Sequence, residues 1–192
     1  IVAILRHPVE RAYAHFRGRR RDGIETRTDF RQVVADELSR PLPDAVAFGS
    51  YLGCGRYHHF LAPYFELFPR ERIRVYLFED LVADVRGLMR DLFGFLGVDA
   101  SFAPLTTTRY ASTGEIDNPV LRFAWTRSVA FRTTVRPHVP AFIRDAVGGV
   151  FIRHLAKERL EPGLRADLVD VFRDDVERLQ DLLGRDLRQW LV

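Results

Sequence analysis

The sequence predicts an α/β fold: a three-layer domain on a parallel sheet, followed by a helical C-terminal region. Two observations carry the sheet. IVAILR (1–6) and IRVYLFE (73–79) are short apolar runs rich in β-branched residues, as strands buried on both faces are. Each leads into a helical pattern and no tight-turn signal joins them, which implies parallel pairing through a crossover. A third observation sets the C-terminal region. Leu164, Leu168, Val171, Phe172, Leu179 and Leu183 recur along one stripe of 164–184, and the opposite side is dense with Asp and Arg.

The remaining elements follow in chain order. Pro8 suits the first turn of a helix, where its missing N–H costs nothing. Val9, Ala12, Tyr13 and Phe16 then form one apolar face. RGRRRDG (17–23) ends that helix, because basic residues meet the negative end of its dipole and Gly23 breaks it. TDFRQVVADELSR (28–40) predicts a second helix with Thr28 or Asp29 as N-cap, and PLPDAVAFGS (41–50) a loop. RYHHFLAPYFELF (56–68) predicts a helix interrupted or bent at Pro63. Beyond the second strand, EDL (79–81) leads towards a helix over VRGLMRDLFGFLG (85–97). DASFAPLTTTRYASTGEIDNP (99–119) reads as a long polar loop, of the kind that is functional or disordered in a compact domain. NPVLRFAWTRSVAF (118–131) and VPAFIRDAVGGVFIRHLA (139–156) predict helices, and LRQWLV (187–192) closes the chain.

Composition narrows the function classes. A chain of 192 residues suits one domain with a real core, and 47% hydrophobic residues argue against disorder. A net charge of +3 suits an anionic ligand but is too small to argue for nucleic acid. Lys157 is the only lysine among 29 basic residues, a skew that points to a GC-rich bacterial gene rather than to any chemistry. Cys54 is the only cysteine, which excludes an internal disulfide and makes a reducing cytoplasm the simplest location. No apolar run approaches the roughly 20 residues that span a bilayer. The chain opens on Ile1, inside a predicted strand and without an initiator methionine, and so reads as a fragment that has lost its N-terminus.

Arg6 is the residue that asks for an explanation. Ligands of open α/β sheets bind beyond the carboxyl ends of the strands, where Arg6 sits. The helix opening at Pro8 adds N–H groups and a positive dipole end. A guanidinium placed there can fork two hydrogen bonds onto phosphate oxygens. It can equally pair with a carboxylate such as Glu10, and spacing alone leaves both readings open.

The residues around it add a resemblance. RHPVERAYAHF (6–16) resembles the R-(N/D)-P-V-E-R-A-Y-S-H-Y element of sulfotransferases that use 3′-phosphoadenosine 5′-phosphosulfate, especially bacterial ones akin to the carbohydrate and heparan sulfate branch. GRYHHFLAPYFELFPRERIRVYLFEDL (55–81) is similar to the family's G-x-Y-x-x-x-L-x-x-W-x-x-x-F-P-x-x-x-I-x-V-L-x-x-E-D-L. FGFLGVD (93–99) resembles its FLG-V turn, and VFRDDVERLQDLLGRDLRQWL (171–191) its closing F-x-x-D-V-x-x-L-x-x-L-L-G-R-D-L-x-x-W. The motifs stand in the family's order, and only 105–160 matches loosely.

The resemblance implies a sheet of the P-loop-like type and sulfuryl transfer from 3′-phosphoadenosine 5′-phosphosulfate to a hydroxyl or amine of an acceptor. That acceptor, the partner, could be a saccharide, a lipid or a small metabolite. It assigns the donor's 3′-phosphate to Arg6. Where the family has a serine for the same phosphate this chain has Ala14, and where it has Asn or Asp this chain has His7. Losing one hydroxyl contact to a charged group removes about 1.5–3 kcal/mol, which weakens such a site without abolishing it. Arg109 and Ser112 are candidates for a third phosphate contact, with a solvated loop as the alternative. The family's phosphosulfate loop and catalytic base lie upstream of all these motifs, so the catalytic residues are expected before Ile1 and 1–192 reads as a sulfotransferase domain fragment. No metal is required. Two competing readings are a degenerate, inactive binding or scaffold module, which Ala14 favours, and a P-loop kinase relative, which the motif set disfavours.

Other groups have plainer readings. Cys54, His58 and His59 lie close in sequence, but adjacent histidines do not share a helix face and no further cluster completes a metal site. His59 as a base for an acceptor hydroxyl is a second option, with both histidines at the surface as the default. Glu79 and Asp80 suit capping better than acid/base work. Arg17, Arg19, Arg20 and Arg21 could dock an anionic acceptor, with a solvated helix terminus as the default.

Overall fold

The computed structural model describes residues 1–40, 50–102 and 160–192, together with the backbone of 115–116 and 155–156. The chain divides into two compact units, one of Ile1–Ala12, Leu42–Arg109 and Pro162–Val192, the other of Tyr13–Pro41 and Tyr110–Glu161.

The first unit contains both predicted strands, β1 (Val2–Leu5) and β2 (Arg74–Leu77). They pair in parallel, in register from Val2 opposite Arg74 to Leu5 opposite Leu77. Among the described residues this sheet has these two strands alone, so a three-layer sheet is not seen in full. Burial on both faces does not hold for β1. Leu5 is buried, but Val2 and Ile4 are 41% and 49% exposed, because none of the described residues covers that side of the strand. Helix α1 (Pro8–Arg21) begins at Pro8 as predicted, and its early residues Val9 and Ala12 are fully buried.

Helix α3 (Tyr57–Leu67) carries Pro63 inside it. Having no N–H, Pro63 leaves the fourth preceding carbonyl without its helical donor. The short helix α4 (Phe78–Ala83) follows β2 directly. Helix α5 (Val85–Leu96) is capped by Asp84, whose carboxylate accepts the Gly87 N–H at 2.8 Å. It ends at Gly97, where φ of +70° is left-handed and favours glycine. Helix α6 (Pro162–Leu183) is the predicted amphipathic helix, buried through Leu164, Leu168, Val169, Phe172, Asp175, Val176 and Leu179. Val171 and Leu183 are only half-buried, and Val169 and Val176 are buried in the stripe instead. Burying the apolar side chains Leu164, Leu168, Val169, Phe172, Val176 and Leu179 contributes roughly 1.5–3 kcal/mol each. Helix α6 packs on α3, and Gly55 enables close contact. A Cβ there would lie 2.7 Å from Cε1 of Phe172, a ring only 1% exposed.

The second unit holds the end of α1 and helix α2 (Phe30–Leu38), with Asp29 as N-cap accepting the Arg31 N–H at 2.8 Å. Phe16, Phe30, Val33 and Val34 are buried apolar residues in its described part, with the Phe16 and Phe30 rings 4.9 Å apart. Gly23, at φ +73°, lies just past the end of α1 as predicted. Strands β3 (Glu115–Ile116) and β4 (Leu155–Ala156) pair antiparallel. They correct two expectations: β3 falls in the predicted loop, and β4 at the end of the predicted 139–156 helix, because a cross-strand pairing invisible to local periodicity claims both segments. The predicted helix 118–131, the rest of 139–156 and most of the loop 41–50 lie outside the described residues.

Candidate functional site

The register of the sheet builds the site. Leu5 is opposite Leu77, so the next residues off the two strand ends are Arg6 and Phe78. The Arg6 guanidinium carbon accordingly lies 5.3 Å from the centroid of the Phe78 ring, a cation–π contact that holds it from behind. The Tyr57 hydroxyl donates to the Arg6 carbonyl at 2.8 Å and fixes the backbone beneath. Burial of that hydroxyl pushes its pKa up to about 12, so it stays a donor at any ordinary pH. The Arg6 guanidinium has one ionic neighbour, Glu10, at 3.9 Å from its Nη2, beyond hydrogen-bond length. Among the described residues it makes no side-chain hydrogen bond, and its donors remain open to solvent or a ligand.

His7 is 6% exposed and stands between Arg6 and Pro8 at the start of α1. Its Nδ1 lies 3.3 Å from the Val9 N–H, and its Nε2 3.1 Å from Nη2 of Arg165. Both neighbours are donors. A neutral imidazole accepts at one nitrogen, so only one of these contacts is a hydrogen bond at a time, and a protonated ring could make neither. Burial first, then the charges of Arg165 and Arg6, lower its pKa to about 4. His7 thus acts as a neutral acceptor for the Val9 N–H at the start of α1. It also alters the anion reading of the helix start. Pro8 has no N–H and the Val9 N–H points at His7 Nδ1, so the first turn offers fewer free donors than the sequence implies.

Around this point, residues of the distant motifs meet. Asp80 accepts a two-pronged pair of hydrogen bonds from Arg185 at 2.6 and 2.7 Å and a third from the Leu77 N–H at 3.0 Å. The Arg185 hydrogen bonds hold its pKa below the usual carboxylate range. Glu79 Oε1 accepts the Trp190 indole N–H at 3.2 Å, while its buried Oε2 has no partner. Asp175 of α6 accepts the N–H groups of His58 and His59 at 3.0 and 3.3 Å, capping α3 from another helix. Arg70 donates to the carbonyls of Leu182 and Leu183, at 2.8 and 2.7 Å, and closes the other end of α6.

The remaining predicted site residues fall as follows. Ala14 is half-buried on α1. Arg109 and Ser112 lie outside the described residues. His58 is half-buried rather than a surface group, and His59 is exposed with its ring edge-on to Phe60. Among the described residues no three His, Cys, Asp or Glu side chains gather in a way that could hold a metal ion. The basic run is not a uniformly solvated terminus. Arg17 is 5% exposed with its guanidinium 5.7 Å from the Tyr13 ring centroid, and Arg20 lies over Phe16. Sequence reasoning missed Arg165, which looks like any other charge on the polar side of an amphipathic helix. No described helix is long and apolar enough to cross a membrane.

No protein-family model matches the chain, and no curated protein does. A solved structure does: the crystal structure of a sulfotransferase from Alicyclobacillus acidocaldarius, 27% identical, with a TM-score of 0.67 over 99% of this chain. The chain spans 56% of that protein's length. This likeness and the helices around a small parallel sheet give the chain a sulfotransferase-like α/β fold.

Proposed function

We propose that the chain is the 3′-phosphate-binding part of a sulfotransferase, which transfers a sulfuryl group from 3′-phosphoadenosine 5′-phosphosulfate to a hydroxyl or amine. The observation that carries this reading is the uncommitted guanidinium of Arg6 at the carboxyl end of β1, backed by Phe78. Sulfuryl transfer parallels phosphoryl transfer: an in-line displacement in which positioning and charge stabilisation supply most of the catalysis. In this reading Arg6 anchors the donor and selects it over nucleotides lacking a 3′-phosphate. Calorimetric titration of adenosine 3′,5′-bisphosphate and adenosine 5′-phosphate tests the reading. Arg6→Ala should weaken the bisphosphate about tenfold or more and leave the monophosphate nearly unchanged. Equal losses would make Arg6 a structural residue.

Ala14, in place of the family's serine, favours a second reading: a degenerate module that binds without catalysing in any longer protein. A longer protein that binds the bisphosphate through Arg6 but transfers no sulfate would support it.

A further inference from the structure

We propose that Arg165 is the second guanidinium of this anion site, and that Glu10 holds the ligand's place between Arg165 and Arg6. The proposal rests on the donor-binding reading of Arg6 and adds to it a residue from the opposite end of the chain. The two oxygens of Glu10 face the two arginines: Oε2 lies 3.9 Å from Arg6 Nη2 and Oε1 3.7 Å from Arg165 Nε. Both distances exceed hydrogen-bond length, so the carboxylate balances charge without engaging the donors of either group.

Neither arginine depends on Glu10 for its position. Phe78 backs Arg6, whereas Arg165 donates to the Val192 carbonyl and lies against the His7 ring. All three charged side chains are between 33% and 41% exposed, which leaves Glu10 room to swing into water. What remains is a pair of preplaced guanidiniums. A phosphate dianion brings more charge than a carboxylate and enough oxygens to reach both at hydrogen-bond length. Binding would exchange two loose ionic contacts for charge-assisted hydrogen bonds, and the displaced carboxylate would be rehydrated.

The test uses adenosine 3′,5′-bisphosphate and adenosine 5′-phosphate as probes, titrated against the parent chain, Arg165→Gln, Glu10→Gln and Arg6→Ala. Arg165→Gln should weaken the bisphosphate about tenfold and spare the monophosphate, a selectivity that a merely structural role would not produce. Glu10→Gln, which keeps shape and removes the competing charge, should tighten the bisphosphate about threefold. It remains informative even if Arg165→Gln fails to fold. The proposal is overturned if Arg165→Gln lowers both affinities alike or neither, or if Glu10→Gln leaves the bisphosphate no tighter. If Arg6→Ala alone discriminates between the probes, the donor reading stands and the role of Arg165 falls. If the parent chain shows no preference for the bisphosphate, both fall.

Discussion

Lowering the pH should destabilise this fold through one side chain, His7. In the unfolded chain its pKa is the ordinary 6.5, and in the folded chain about 4. Between these values the unfolded state binds more protons, so stability rises with pH across that window. The contribution is fully present above pH 6.5 and lost as the pH falls towards 4. At pH 5 the unfolded ring is almost fully protonated and the folded ring barely so, which amounts to about 2 kcal/mol of stability lost relative to pH 7. The burial of His7, at 6% exposure, justifies treating the shift as energy. Its causes are burial first, then the positive charges of Arg165 and Arg6; the Val9 N–H and Arg165 are donors, so a neutral ring fits between them. His7→Asn keeps an acceptor for the Val9 N–H and removes the titration. Urea denaturation of parent and variant at pH 7 and pH 5 gives the difference of differences, in which the remaining groups common to both cancel. The parent should lose about 2 kcal/mol more than His7→Asn. Equal losses would refute the reasoning and mean that the folded ring accepts a proton without penalty.

Two further outcomes test the packing beneath the site. Gly55→Ala should lower stability by about 1–3 kcal/mol in the same urea assay, because its Cβ would meet the immobile Phe172 ring; an unchanged midpoint would show that α3 and α6 have slack there. Asp175→Asn should lower stability by about 1.5–3 kcal/mol, since an amide oxygen cannot serve both N–H groups and its NH2 would face a donor; amide exchange at His58 and His59 should accelerate in step.

The local parts of this fold were legible in the sequence, and the long-range parts were not. Pro8, Asp29 and Gly23 mark helix ends through their own backbone chemistry, and each mark falls where the structure has it. The two strands and their parallel sense followed from apolar runs linked by helical patterns. The pairing of 115–116 with 155–156 did not, because two-residue strands carry no periodicity to read. The exposure of Val2 and Ile4 was likewise hidden, since a strand's composition does not say which of its faces is covered. At the site, Arg6 stood out by position alone. Arg165 did not, since its approach to His7 and Glu10 depends on where α6 passes the start of α1, which no spacing encodes.

The structure also separates motif residues that hold the fold from those left over. Arg11 donates to the Tyr51 carbonyl, Arg70 forks onto the last carbonyls of α6, and Arg185 is locked on Asp80. Each of these guanidiniums satisfies protein groups that would otherwise lack donors, so fold stability alone accounts for it. The motif acids divide the same way. Glu79 accepts from Trp190, Asp80 from Arg185, and Asp175 from the start of α3, whereas Glu10 has only ionic contacts beyond hydrogen-bond length. Arg6 and Glu10 are thus a motif pair whose side chains make no hydrogen bond among the described residues, and they face each other at the strand end where ligands of α/β sheets bind. A partly exposed ion pair at that distance adds little stability. On the donor-binding reading proposed above, a guanidinium there is explained by the anion it would receive.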